Sequence, residues 1–190
     1  MELKEIALAK VHEALNAQMV PFAGYRMPLK YTSLIDEHKA VRTNVGMFDV
    51  SHMGEIMVSG PEAAALIQYI SSNDVSKIYD GKAQYSCLPN KNGGIVDDFL
   101  IYRFKEDQFM LVVNASNIEK DWDWINKHNR FEAKLENISD QTCLFAVQGP
   151  NAQKVCQALT TEDLSTLDYY HFRSSTYAGV PDVIISATGY

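Results

Sequence analysis

The stretch Asn90–Phe104, NKNGGIVDDFLIYRF, decides how the middle of this chain is read. Asn92-Gly93-Gly94 has the composition of a tight turn, and Ile95 to Phe104 is apolar enough for a strand. Ala83 to Leu88 precedes the turn as a second strand. Lys105-Glu106-Asp107-Gln108 makes the next turn, and Phe109 to Asn114 forms a third strand. Short turns between three apolar runs predict an antiparallel meander. The oddity is Asp97-Asp98 inside the central strand, because aspartate is depleted in strands and seldom buried without a partner. Successive strand residues point to opposite faces. Asp98, Leu100 and Tyr102 therefore share one face, and Asp97, Phe99, Ile101 and Arg103 the other. Two carboxylates so placed cannot share one proton as a catalytic dyad does. A lone carboxylate beside a phenol between apolar walls suits a polar, nitrogen-rich ligand. Equally, both acids could accept hydrogen bonds from nearby turns, and spacing alone leaves the two readings open.

Working outward, MELKEIALAKVHEALNAQM reads as an amphipathic helix and VPFAGYRMPLKY as a loop rich in proline, glycine and aromatic residues. Ser33 is placed to cap a helix running to about Thr43, with Asp36 and Glu37 near its positive end. Gly46 stops that helix. FDVSHMGEIMVSG then ends in a strand at about Glu55 to Val58, and Pro61 suits the first turn of a helix reaching about Ser71. Beyond the meander, a helix from about Ser116 to His128 carries Trp122 and Trp124. Strands follow at about Phe131 to Ile138 and Cys143 to Val147, a helix begins at Pro150, and the last clear strand is Val183 to Ala187. IMVSGPEAAALIQYI and FAVQGPNAQKVCQAL share the order strand, Gly-Pro, helix, which proline at a first helical turn is enough to explain, with a true internal duplication as the alternative. The whole pattern is α+β, antiparallel sheets with packed helices.

The composition is that of an ordinary globular protein: 190 residues, 46% apolar and 22% charged, enough for one large or two small domains. A net charge of −7 argues against a nucleic-acid binder, which carries a basic face. No apolar run approaches the roughly 20 residues of a membrane span. The amino-terminal segment holds three glutamates and no arginine, unlike a secretory or organellar leader, so a cytoplasmic protein is expected. Cys87, Cys143 and Cys156 are odd in number and lack metal-ligand spacing, and read as reduced structural residues. His12, His38, His128 and His171 are scattered without metal spacing, so no metal is predicted; His12 and His38 are expected to face solvent from charged helices. Ser51-His52 lacks the elbow of a nucleophile and its base, and His52 reads as a structural loop residue. No phosphate-binding glycine motif is present. Tyr169-Tyr170 and Tyr190 read, on their own, as packing tyrosines with hydroxyls at the surface.

Four segments in this order carry more than their separate readings: VPFAGYRMPLKY, VGMFDVSHMGE, AQYSCLPNKNGGIVDDFLIY and LVVNASNIEKD. From about Val20 to Tyr190 the chain resembles the aminomethyltransferase, or T-protein, of the glycine cleavage system; DVSHMGE together with NGGIVDD carries the resemblance. The resemblance implies a folate enzyme. Such enzymes take the aminomethyl group carried on the lipoyl arm of the H-protein and transfer its methylene to tetrahydrofolate, releasing ammonia. Tetrahydrofolate is then the co-substrate and the lipoylated H-protein the partner. The implied fold is a three-domain cloverleaf with folate in a central channel. On that plan residues 1–50 and 140–190 form a first domain, incomplete at its carboxy end, and 51–139 a second, with the third absent. Residue by residue, the resemblance makes Asp98 the catalytic aspartate. It gives Tyr85, Tyr102 and Asn114 as folate-pocket residues, with Met53 beside the ligand and Tyr170 and Tyr190 as further members. Asp98 is implied to sit near the pterin amines, steering protons and stabilising the positive charge that forms as ammonia leaves; Asp97 keeps a structural role. The chain stops at ISATGY, where family members continue into a glycine-rich segment with a pterin-holding glutamate, so this stretch alone is expected to be inactive. Two relatives are alternatives. One is the T-like domain of sarcosine and dimethylglycine dehydrogenases, against which an amino-terminal Met1 argues. The other is a folate-binding non-transferase tied to iron-sulfur assembly, whose distinguishing motif lies beyond Tyr190.

Overall fold

The computed structural model describes residues 3–189. In chain order its elements are β1 (Lys4–Glu5), α1 (Ala9–Ala14), β2 (Gln18–Phe22), β3 (Tyr25–Lys30), α2 (Leu34–Thr43), β4 (Gly46–Asp49), β5 (Gly54–Ser59) and α3 (Ala63–Ile70). There follow β6 (Lys82–Pro89), β7 (Ile95–Lys105), β8 (Gln108–Val113), α4 (Ile118–His128), β9 (Lys134–Asn137), β10 (Phe145–Gln148), α5 (Ala152–Gln157), β11 (Phe172–Tyr177) and β12 (Val180–Ser186). The class is α+β, and among the described residues no helix is long and apolar enough to cross a membrane. Two compact units divide the chain: Met53–Thr142 is one, and the segments up to His52 and from Cys143 onward form the other.

In the Met53–Thr142 unit the meander β6-β7-β8 grows into a five-stranded antiparallel sheet of order β6-β7-β8-β5-β9. Alternation places Phe99 and Ile101 of β7, Phe109, Leu111 and Val113 of β8, and Ile56 and Val58 of β5 on one face. Leu66, Ile67 and Ile70 of α3 and Ile125 of α4 close over them as one buried cluster. Each such side chain contributes about 1.5–3 kcal/mol on burial. Helix α4 lies so close to the start of β5 that a Cβ on Gly54 would meet the Ile118 side chain at 2.6 Å. The opposite face of the sheet sets Asp98 and Glu55 among mostly apolar residues, Leu100, Tyr102, Met110 and Val112.

The second unit holds three small sheets among its described residues. β3 pairs with β1 in parallel and with β2 antiparallel, while β4 with β10 and β11 with β12 are antiparallel pairs. Ile6, Ala9, Tyr25 and Met27 make a small core. The expected cap of α2 is present: the Asp36 N–H donates to Ser33 Oγ at 3.4 Å. Glu37 reinforces it by accepting from the Tyr31 and Thr32 N–H groups at 2.8 and 2.7 Å.

Several local expectations are corrected. The segment VPFAGYRMPLKY is not a loop but the β2–β3 hairpin, turned by Ala23-Gly24, both with positive φ. Helix α1 is only Ala9–Ala14, because Asn16 takes φ 60 and the chain enters β2. Helix α2 ends at Thr43 as expected, but Asn44 caps it and Gly46 opens β4 instead of stopping the helix. His12 does not face solvent. It is 7% exposed, with Nδ1 2.7 Å from the Tyr31 hydroxyl and Nε2 2.8 Å from Asp49 Oδ2. A carboxylate brought in from β4 gives the ring a partner that the helix sequence does not reveal. His52 is buried against Phe22 and Tyr25, edge-on to both, and burial pushes its pKa down.

Candidate functional site

The sheet face that carries Asp98 is built row by row from the register. Cys87 pairs with Asp98; Tyr85 pairs with Leu100, which pairs with Val112, which pairs with Glu55. The next row runs Ala83, Tyr102, Met110, Met57. Asp98 is half-buried on this face, between a largely exposed Tyr85 and a Tyr102 that is 6% exposed. Both its oxygens are engaged. The Tyr85 hydroxyl donates to Oδ2 at 2.8 Å, and the Asn114 side-chain amide donates to Oδ1 at 3.1 Å. The same amide reaches the Asp98 carbonyl at 3.0 Å and Asp97 Oδ1 at 3.1 Å. Asn114 can do this because β8 ends at Val113 and the chain turns there into a 3-10 turn, Ala115–Asn117. A carboxylate fixed by two donors, with an apolar floor, can accept from the amines of a flat heteroaromatic and hold or release a proton.

Of the residues singled out from sequence, Asp98, Tyr85 and Asn114 meet directly, and Tyr102 shares their sheet face. Met53, half-buried, precedes Gly54, which pairs with Val113, so Met53 and Asn114 lie at the same end of the β5–β8 pair. Tyr170 belongs to the other unit. It is half-buried with φ 60, stacked edge-on against Tyr169 at 4.7 Å, and its N–H donates to the Ala187 carbonyl at 3.0 Å. Tyr190 lies outside the described residues.

Two buried acids escaped the sequence reading. Glu55, on the same sheet face as Asp98, is 2% exposed, and burial pushes its carboxyl up to about 8. Asp121 of α4 is 0% exposed and is likewise pushed up to about 8, by burial first and then by the facing Asp97. Asp121 had one available signal: it stands three residues after Ile118 and four before Ile125, on the apolar stripe of its helix. Among the described residues no group of three or more His, Cys, Asp or Glu is placed to hold a metal ion.

Fold and site together define an α+β protein that carries its candidate chemistry, a doubly anchored carboxylate, on one face of an antiparallel sheet. The chain belongs to the GCVT N-terminal domain family, whose model matches residues 8–190. It is similar to the aminomethyltransferase of Flavobacterium psychrophilum, 56% identical over 188 residues that cover 99% of this chain and 52% of that protein. The aminomethyltransferase of Porphyromonas gingivalis is 54% identical with the same coverage. The crystal structure of glycine cleavage system aminomethyltransferase T from Bartonella henselae superposes with a TM-score of 0.84 at 35% identity, over 90% of this chain and 47% of that one. A heterotetrameric sarcosine oxidase from Corynebacterium sp. U-96 matches with a TM-score of 0.60 over 82% of this chain and 77% of that one, at 14% identity, a likeness of fold alone. The chain spans about half the length of the curated relatives it matches.

Proposed function

We propose that this protein is a tetrahydrofolate-dependent aminomethyltransferase of the glycine cleavage system. It takes the methylene of an aminomethyl group presented on the lipoyl arm of the H-protein and passes it to tetrahydrofolate, with loss of ammonia. The observation that carries this reading is the Asp98 carboxylate, held by Tyr85 and Asn114 on a sheet face that also carries the buried Tyr102. Identity of more than half to aminomethyltransferases supports it. The residues fit the co-substrate: a pterin is flat and rich in N–H donors, and the site offers a carboxylate acceptor, phenol rings and an apolar floor of Leu100 and Val112. Asp98 stabilises positive charge as ammonia departs and handles the proton at its carboxylate, a role in which fixed charge in a partly dry site is effective. Tyr85 and Asn114 orient Asp98, Met53 and Tyr102 border the ligand, and Tyr170 and Tyr190 complete the proposed set. A cytoplasmic location goes with this reading.

The test is an assay of the protein at its natural length with aminomethylated H-protein and tetrahydrofolate, following methylenetetrahydrofolate and ammonia together. Tetrahydrofolate should also raise the thermal midpoint, since it binds the native state preferentially. Absence of both product and thermal shift in a folded sample would rule the reading out.

A further inference from the structure

On the helix-covered side of the sheet, directly behind Asp98, two carboxyl groups meet each other. Asp97 is 8% exposed and Asp121 is 0% exposed. Asp97 Oδ1 accepts from the Asn114 amide that also holds Asp98. Asp97 Oδ2 and both Asp121 oxygens are buried with no amide, hydroxyl or ammonium donor; what Asp97 and Asp121 do have is each other. Two facing carboxylates taken out of water without donors cost several kcal/mol each. A single proton removes one charge and turns the contact into an O–H···O hydrogen bond, the charge-assisted kind that is short and strong.

We infer that Asp121 is a positioning residue for the Asp98 site: Asp121 and Asp97 share one proton, and the pair so formed fixes the Asn114 amide and, through it, Asp98. The groups around the pair agree on where the proton sits. Burial, the facing Asp97 and the charge of Asp98 push Asp121 up, against Lys120 on its own helix. Burial also pushes Asp97 up, but hydrogen bonds from Asp121, Asn114, Asn117 and the Asp98 N–H outweigh it and hold Asp97 below the ordinary aspartate range. Asp121 is therefore the acid and Asp97 the anion. β7 presents Asp97 and Asp98, α4 presents Lys120, and the turn between β8 and α4 presents the neutral amides Asn114 and Asn117. Ionisation of Asp121 sets two anions against each other at the root of Asn114, and the amide can no longer serve both Asp97 and Asp98.

The kinetic arm of the test rests on the transferase reading; the spectroscopic arm does not. In a Glu55→Gln background, infrared difference spectra are recorded as pH is raised through about 8. A carboxylic-acid carbonyl band should disappear on ionisation and be missing altogether after Asp121→Asn. In the assay, Asp121→Leu deletes the donor to Asp97 and should lower kcat about tenfold, the loss of one hydrogen bond to a charged group, with KM for tetrahydrofolate less affected. The amide of Asp121→Asn supplies that hydrogen bond without an ionisable proton. It should rescue most of the loss and flatten the alkaline limb of the kcat profile. No acid band in the Glu55→Gln protein, or an alkaline limb unchanged by Asp121→Asn, overturns the inference. A wild-type protein without transferase activity overturns the functional reading instead, and the infrared band still decides on the proton.

Discussion

Asp97 and Asp98 are chemically identical neighbours that β7 sends to opposite surroundings. Asp98 keeps a half-exposed carboxylate under two donors, so replacing charge while keeping shape isolates its chemistry. Asp98→Asn is expected to lower transferase turnover by about 10²–10³, the usual cost of removing one fixed electrostatic contact to the reacting centre. Its thermal midpoint should stay near that of wild type. Steady-state rates and melts check both, and turnover close to wild type would remove Asp98 from the role. Tyr85→Phe deletes one hydrogen bond to a charged acceptor. Tyr85 is 49% exposed, so water replaces the lost hydroxyl, and kcat/KM should fall by no more than about tenfold. The division of the two aspartates between faces was legible in the sequence, because it needs only a strand and the NGG turn that starts it. Asp121 was only partly legible: its place on the apolar stripe signals burial, but in the first turn of a helix an aspartate also reads as a partner of the helix dipole. Nothing local shows that Asp97 will face it.

At the scale of elements, the long β7 and its neighbours were readable because apolar runs and short turns agree. The β2–β3 hairpin was misread because Pro21 and Pro28 dominate its composition. Both prolines are tolerable for positional reasons. Pro21 lies on β2, the edge of its sheet, and Pro28 lies beyond Tyr25 and Arg26, the β3 residues that pair with the short β1. The repeated strand, Gly-Pro, helix order also proves deeper than a proline at a helix start. Gly60 and Gly149 both have left-handed φ, of 113 and 118. Gln68 Oε1 accepts from the Val75 N–H and Gln157 Oε1 from the Leu164 N–H, at 2.8 and 2.9 Å. Asp74 and Asp163 each cap a 3-10 turn through a following serine N–H. Even Gly81 and Tyr170 match in positive φ. All these pairs stand at one constant spacing along the chain, so the two units carry the same strand–helix–turn module. A Cβ at Gly60 would meet the Glu132 carbonyl at 2.7 Å, and one at Gly149 the Val41 carbonyl at 2.5 Å. Gly60→Ala and Gly149→Ala should therefore each destabilise the protein by about 1–3 kcal/mol, adding backbone strain to a steric clash. Denaturant melts measure this, and a loss below about 0.5 kcal/mol at either position would contradict the shared role.

For the whole molecule, the buried acids set how stability depends on pH. In the unfolded chain Glu55 and Asp121 ionise near ordinary values of 4.5 and 3.8; in the native state both are pushed up to about 8. Between those limits the native state binds more protons than the unfolded one. The stabilisation is complete below the ordinary values and is lost as pH rises through about 8. Carboxylates with lowered values act the other way: their contribution is present above the ordinary range and lost only as pH falls. Asp97 is one such group; Glu37, Asp74 and Asp163 are others, but solvent screens their exposed charges. None of them offsets a decline above neutrality. The net charge of −7 deepens as pH rises, and its self-repulsion adds to the same trend. His52, pushed down by burial, adds stability only as pH rises through its ordinary value of 6.5. The thermal midpoint should therefore fall from about pH 7 to about pH 9, each displaced pKa unit being worth about 1.4 kcal/mol. Glu55→Gln keeps the shape and removes the titration, so its midpoint should fall less steeply and gain on wild type as pH rises. Calorimetric melts of the two proteins across that window test the claim. A wild-type midpoint that climbs with pH, or equal slopes for the two proteins, would show that Glu55 is already ionised in the fold.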